Sequence, residues 1–427
     1  MKLLPILSKK IWGIKVVVWI CVIFSLLSLY HFFSQKLYYT GSDIFYYLGL
    51  AENFNKTGQM QDITSIPSRT VSSPQLGIVF ILSFLKLIHL TPDAIIKLVS
   101  AFYYLIYVIS FYPIMKIVKM INFSKVQTQL LAIAYYSHWI IYRLQMIPIN
   151  DGMANVIAFW LVYLIASHFH SGRKHFLPVL ILSFLGPFFR ISTFIILLVT
   201  IIIASLIKKW KISLWYLCLF ILSLALFTAF LSSSIFSNQN QTVVDISTNI
   251  SYFNNKVGVK ISAPGLIIRD AKKLFLERIP RLYLTDFSGH LSFLNWVYLL
   301  FIFPPILYFY KGIKQKKLVT SFLSGLILSA YIFVFYTNII SQRYFLFTYI
   351  FSMGLFIKLY YKKHLGQLLV IGYISLLPIF SIYSLLQKTT DYCTPSILKQ
   401  LKESNTILEP NAILYSSLPR HAYFFLN

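Results

Sequence analysis

Acidic residues are scarce. The 427-residue chain has 12 Asp and Glu against 38 Lys and Arg, a formal net charge of +26, and charged residues make up only 12% of it. A soluble domain carries roughly 25% charge, so composition argues against a water-soluble fold. Cysteine is nearly absent as well. Cys21 and Cys218 lie inside apolar runs and Cys393 lies near the end. No pair has metal-ligand spacing, and no disulfide framework is readable. No Walker-type glycine loop is present, which excludes an ATP-driven transporter acting by itself. No internal repeat and no cytoplasmic domain is evident.

What the chain has instead is apolar length. Hydrophobic residues make up 58% of it and the mean hydropathy is +0.72. Apolar runs occupy 12–33, 74–90, 94–115, 126–147, 153–169, 176–188, 191–207, 212–231, 292–310, 318–339, 343–360 and 365–385. Runs of this kind read as membrane-spanning helices. They are continuously apolar, whereas the strands of an outer-membrane barrel would alternate. The expected fold is all-α, a polytopic transmembrane helix bundle. The first run follows Lys9 and Lys10 and has no small-residue cleavage site, so it reads as an uncleaved anchor with its N-terminus in the cytoplasm. The abundance of Ile, Lys, Phe, Tyr and Asn suggests an AT-rich bacterial genome, and the expected location is a bacterial cytoplasmic (inner) membrane.

The basic residues sit between the apolar runs: Lys2–Lys9–Lys10, Lys116–Lys119–Lys125, Arg173–Lys174, Lys208–Lys209–Lys211, Lys311–Lys314–Lys316–Lys317 and Lys358–Lys362–Lys363. The positive-inside rule places all of them in the cytoplasm, and nucleic acid is not an expected partner. If all twelve runs crossed, every cluster after the first would face outside. If 74–90 lies in or dips into the outer interface, every cluster faces inside. The expectation is therefore about 11 spans, N-in and C-out. The transmembrane domain covers 1–385, with outer loops 34–93 and 232–291 and a short extracytoplasmic tail, 386–427. In this arrangement all 12 acidic residues, from Asp43 to Glu409, fall outside. The working face is the outer one.

Five places on that face carry candidate chemistry. The stretch GSDIFYYLGLAENFNKTGQ predicts a helix over 43–57, capped by Ser42 or Asp43 and stopped by Gly58. Ile44, Tyr47, Leu48, Ala51 and Phe54 form one apolar face suited to resting on the membrane. Asp43 is either the cap or a general base at the membrane surface. PIND, Pro148 to Asp151, is a second outer turn, where Asp151 reads as the N-cap of a helix starting at Gly152 or as a second functional acid. Arg143, inside the preceding span, faces a polar cavity or a partner, or snorkels to headgroups. Arg190 in GPFFRISTF and Arg343 in SQRYFLF run against the positive-inside trend. Arg269, Lys272, Lys273, Arg278 and Arg281 make 260–285 strongly basic, suited to an anionic ligand such as a lipid phosphate or to anionic headgroups.

The first of these places resembles the GT-C superfamily of polytopic glycosyltransferases, the type that uses dolichyl- or polyprenyl-phosphate sugars and includes mannosyl and aminoarabinose transferases. The matching residues are Asp43, Tyr46, Tyr47, Ala51, Asn53, Thr57 and Gly58. Ser73-Pro74 stands where the family often has a proline pair, Arg143 through Asp151 where it has a basic residue and a second acid. Arg190 follows a Gly-Pro, and Arg343-Tyr344 falls in a late outer turn. The resemblance implies transfer of a sugar from a polyprenyl-phosphate donor to an envelope lipid or glycan acceptor, with inversion. It implies Asp43 as base and Asp151, Arg143, Arg190, Arg269, Lys272, Arg278, Arg281, Arg343 and Tyr344 as substrate-binding residues. It also agrees with a non-spanning 74–90. Two departures stand out: Ser42 precedes Asp43 where many members have a second acid, and the outer tail is short. No cofactor is expected, and no ligand cluster argues for a divalent metal.

Two other readings compete. An O-antigen-type polymerase or ligase would use Arg278, eleven residues before Gly289, and not Asp43. A lipid or polysaccharide transporter would show paired halves or broken helices at the bilayer midplane, whereas the polar residues here gather at one surface.

Overall fold

The computed structural model describes residues 10–11, 14–34, 42–58, 61–62, 69–70, 77–231, 299–337 and 346–386. Within them the chain is helical apart from two antiparallel ladders of two-residue strands. These are β1 (Lys10–Ile11) with β2 (Ile14–Lys15), and β3 (Gln61–Asp62) with β4 (Arg69–Thr70). The outer segment 232–298, most of the tail and the candidates at 343–344 lie outside the described residues.

Each apolar run becomes helix. In chain order these are α1 (Val16–Ser34), α2 (Ser42–Thr57), α3 (Gly77–Leu87), α4 (Pro92–Ile109), α5 (Phe111–Met120), α6 (Lys125–Ser137), α7 (Trp139–Met146) and α8 (Asn150–Ser171). They continue with α9 (Phe176–Phe189), α10 (Phe194–Leu206), α11 (Trp210–Leu231), α12 (Leu299–Lys314), α13 (Leu318–Thr337), α14 (Leu346–Tyr360) and α15 (His364–Leu386). Among the described residues four stretches are long and apolar enough to cross a membrane by themselves: Val16–Ser34, Pro92–Met120, Asn150–Ser171 and Trp210–Phe230. The rest are shorter apolar helices. At 11 residues, α3 is about 16 Å long, roughly half the thickness of a hydrocarbon core.

At the centre of the bundle stands α8. Its apolar stretch is 72% buried, against 22% for α1 and 28% for the Trp210–Phe230 stretch of α11, so it is sheathed by protein while α1 and α11 present side chains to lipid. It packs against α5, α7, α9, α13 and α14. It runs in the same direction as α4 and α5: Tyr103 abuts its start at Gly152, Tyr112 stacks near Trp160 with ring centres 6.1 Å apart, and Ile121 and Phe169 line one cavity at the far end.

Two of the apolar runs are divided. The 94–115 run passes from α4 to α5 at Ser110 with the backbone still right-handed helical, and the 126–147 run is broken at His138, where the backbone leaves the helical region. Tyrosines cross-link the two segments. The Tyr107 and Tyr135 rings stack at 4.4 Å, Tyr135 donates to the Tyr107 carbonyl at 2.7 Å, and Tyr136 donates to the Val108 carbonyl at 2.9 Å. Tyr142 reaches the Ser25 hydroxyl of α1 at 2.9 Å. In a membrane such hydroxyls pin helices that gain nothing from hydrophobic burial against one another.

The first outer helix ends where the sequence says it ends: Gly58 is left-handed and its N–H returns to the Phe54 carbonyl at 2.8 Å. Its apolar face is used differently from the expectation. Ile44, Leu48 and Ala51 are fully buried, and α2 packs against α3 rather than leaving that face to lipid. A short apolar helix too short to span offers a better partner than headgroups. Glu52 bridges the two helices, accepting from Lys86 at 2.8 Å and from its neighbour Lys56 at 2.9 Å. Burial pushes the Glu52 carboxyl up, but the hydrogen bonds from Lys86 and Lys56 outweigh it and hold it below its ordinary value. A depressed carboxylate pKa stabilises above the unfolded value, about 4.3, and that contribution disappears as pH falls through the folded value. The thermal midpoint of wild type should therefore exceed that of Glu52→Gln most at pH 7, and the gap should close on acidification below about pH 4. A gap independent of pH would show that the carboxylate charge contributes nothing.

Candidate functional site

The N-terminal end of α8 is surrounded by other helices. The chain enters it through Ile149, which occupies the cap position without a side-chain cap, and Asn150 already starts the helix. Asp151 therefore is not the N-cap expected from the sequence. Its carboxylate accepts from the guanidinium of Arg190, which donates through Nη1. Asp151 is only 3% exposed, and an ionised carboxylate at that depth needs a counter-charge. Its position in the first turn adds the favourable field of the helix N-terminus.

Arg190 is held there by the break in GPFFRIST. Pro187 lies in the last turn of α9, and Arg190 itself is extended. Its N–H returns to Gly186 at 2.8 Å, and its carbonyl accepts from the Thr193 N–H at 3.0 Å and hydroxyl at 2.8 Å. A short 3-10 turn, Ile191–Thr193, then starts α10. Close approach is built into this hairpin: a Cβ at Gly186 would lie 2.6 Å from the Thr193 hydroxyl oxygen.

Polar groups surround the pair. Asn150 accepts from the Ile78 N–H at 3.0 Å, tying the start of α3 to the start of α8. Gln145 donates to the Gly152 carbonyl at 2.6 Å, and Asn155 to the Asp151 carbonyl at 2.9 Å. The Gln145 carbonyl oxygen and the Tyr103 hydroxyl are buried with no hydrogen-bond partner. Tyr103 lies within electrostatic reach of both Asp151 and Tyr47. Tyr47 stands one turn after Asp43 on α2.

Of the residues singled out from the sequence, Asp151 and Arg190 meet directly. Arg143 is half-buried on α7, and its charge reaches His31 of α1. Asp43 lies in the first turn of α2, its side chain outside the description. Arg269, Lys272, Arg278, Arg281, Arg343 and Tyr344 lie outside the described residues. The sequence reading missed Tyr103, Gln145, Asn150 and Asn155. The available signal was the spacing of Asn155 four residues after Asp151, and of Gln145 two residues after Arg143, inside otherwise apolar stretches. Among the described residues no three of His, Cys, Asp and Glu converge, and the one buried carboxylate of the site already has a guanidinium. The described donor set does not assemble a divalent-ion site.

No protein-family model and no curated protein sequence matches the chain. Among solved structures it is similar to the oligosaccharyltransferase of Archaeoglobus fulgidus. Against the form complexed with zinc and sulfate the TM-score is 0.57 at 12% identity, covering 96% of this chain and 57% of that one. Against AglB complexed with an inhibitory peptide and a dolichol-phosphate the TM-score is 0.55 at 12% identity, covering 96% and 59%. The chain shares the fold of these oligosaccharyltransferase structures. It spans under two thirds of the length of those it matches.

Three substitutions test the site. Removing one partner of a buried ion pair costs about 3–5 kcal/mol, so Asp151→Asn and Arg190→Gln should each lower the thermal midpoint in detergent strongly. The double variant should cost clearly less than the sum of the two. Additive losses would mean the two side chains do not interact. At Gly152 a Cβ would lie 2.6 Å from the Gln145 carbonyl oxygen and 2.7 Å from the Tyr103 ring. Gly152→Ala should therefore destabilise by about 1–3 kcal/mol, measurable in the same melts. An unchanged midpoint would show that α7 and α8 are not in close contact.

Proposed function

We propose that the protein is a membrane glycosyltransferase that moves a sugar from a polyprenyl-phosphate donor to a cell-envelope lipid or glycan on the extracytoplasmic side of a bacterial inner membrane. The observation that carries this reading is the buried Asp151–Arg190 pair, with α2 packed on α3, the helix whose start is tied to Asn150. The fold likeness to an enzyme captured with a dolichol-phosphate supports it. The length of α3 supports a topology of about 11 crossings, N-in and C-out, in which 74–90 turns back at the outer interface.

The chemistry needs one base. A phosphate-linked sugar leaves as polyprenyl phosphate, an anion that needs no general acid. Asp43 takes the proton from the acceptor hydroxyl as that oxygen attacks the anomeric carbon and the bond from that carbon to the phosphate oxygen breaks. A single displacement inverts the anomeric centre, as in inverting hydrolysis. Asp151, fixed by Arg190, orients the sugar or the acceptor. Arg190 adds positive charge on the phosphate side, together with Arg143, Arg343, Tyr344 and the basic stretch holding Arg269, Lys272, Arg278 and Arg281. Guanidinium groups stabilise the charge that develops on the leaving phosphate.

Loss of a positioned base typically costs 10²–10⁴-fold. Asp43→Asn should lower transfer from radiolabelled polyprenyl-phosphate sugars to an envelope-lipid extract by roughly that factor, with thermal stability retained. Equal transfer by mutant and wild type would remove Asp43 from the chemistry.

A further inference from the structure

A second polar cavity lies at the opposite end of α8. Its volume is about 690 Å³, and it is framed by the last residues of α5 and α8, the turn between α12 and α13, and the end of α14. Nineteen residues of helix separate Asp151 from His170 on its rim, about 28 Å at 1.5 Å per residue. It is therefore separate from the site above, and nothing in its argument depends on the reading of that site.

Five lysines line it, Lys311, Lys316, Lys317, Lys358 and Lys362, and no Asp or Glu does. The chain supplies no acid nearby in sequence: none lies between Asp93 and Asp151, between Asp151 and Asp245, or between Asp286 and Asp391. Helix dipoles offset part of the charge. The C-termini of α5, α8, α12 and α14 and the N-terminus of α13 converge here, which at half a charge each amounts to about −1.5. Roughly three positive charges remain uncompensated.

Two further features aim at a ligand. Tyr308 is 8% exposed and lines the cavity, and its hydroxyl has no hydrogen-bond partner. Lys316 is left-handed, with φ of 53°. It sits where a helix end favours glycine: its N–H returns to Ile313 at 3.1 Å, and the Lys317 N–H to Gly312 at 2.8 Å. A lysine at that position strains the backbone and places one more cation on the cavity wall. Lys358, in contrast, is already engaged, donating to the Ile121 carbonyl at the end of α5.

We propose that this cavity binds a phosphate-bearing anion, carried either by a lipid headgroup or by a soluble phosphate compound. Basic pockets between transmembrane helices suit phosphate headgroups, and a diphosphate matches the uncompensated charge.

The test uses the purified full-length protein in detergent, with the thermal midpoint titrated at constant ionic strength. The probes are tetraoleoyl cardiolipin, inorganic pyrophosphate and dioleoyl phosphatidylcholine. Wild type should rise saturably by several degrees with cardiolipin or pyrophosphate and not with phosphatidylcholine. A response to cardiolipin alone identifies a lipid headgroup, and a response to pyrophosphate a soluble anion. In the triple variant Lys311→Gln, Lys316→Gly, Lys362→Gln the half-saturating concentration should rise on the order of a hundredfold. The single variant Lys316→Gly separates binding from folding. Glycine relieves the left-handed strain, so its unliganded midpoint should equal or exceed that of wild type while its affinity falls. No response to either anion, or equal half-saturation in wild type and variants, overturns the proposal.

Discussion

A carboxylate 3% exposed inside an apolar bundle needs a counter-charge, and the end of the molecule at the start of α8 is arranged around that requirement. Arg190 meets Asp151 because Pro187 and the extended conformation of Arg190 end α9 at the right height. The α9–α10 hairpin then sits against α3, where Gly77 lies so close to Phe189 that a Cβ would approach its ring to 2.6 Å. The start of α3 is in turn tied to Asn150, next to Asp151 in the chain. With Asp151, Arg190, Asn150 and α3 mutually positioned, α2 has a protein surface to pack on. Removing one partner of the ion pair would leave a buried charge and loosen the hairpin packed against α3.

Much of this was legible in the sequence, because the membrane imposes one-dimensional rules. Apolar length locates the helices, and each of the twelve runs is helical among the described residues. The Gly58 stop follows from the absence of a Cβ. The division at Ser110 and the break at His138 were not legible, since neither residue breaks helices strongly. Both are maintained by tyrosine hydroxyls from a neighbouring helix, a contact between segments some 28 residues apart. The destination of the α2 apolar face was misread for a related reason. An amphipathic pattern reports that one face is buried without saying whether lipid or protein buries it.

The site itself was half legible. Asp151 and Arg190 stood out as charges in apolar surroundings, but their pairing spans 39 positions and leaves no periodic trace. Reading Asp151 as a cap failed because the helix begins two residues earlier than expected, at Asn150, which places the acid in the first turn. There its carboxylate meets the Arg190 guanidinium.

Charge segregation along α8 ties the two ends of the molecule together. Its N-terminus carries the partial positive charge of the helix dipole and holds Asp151; its C-terminus carries the partial negative charge and opens on the lysine cavity. Nearly parallel to it, α4 and α5 begin at Asp93 and end at Lys119, next to that cavity. Acids at helix starts and lysines at helix ends are each stabilised by the dipole, so the sign pattern that sets orientation in the membrane also stabilises the helices locally. At the outer end the carboxylate is matched one to one by Arg190. At the other end lysines outnumber what the dipoles offset. A fold that pairs its buried charge so closely at one end and leaves an excess at the other has, at that second end, a standing electrostatic demand for an anion.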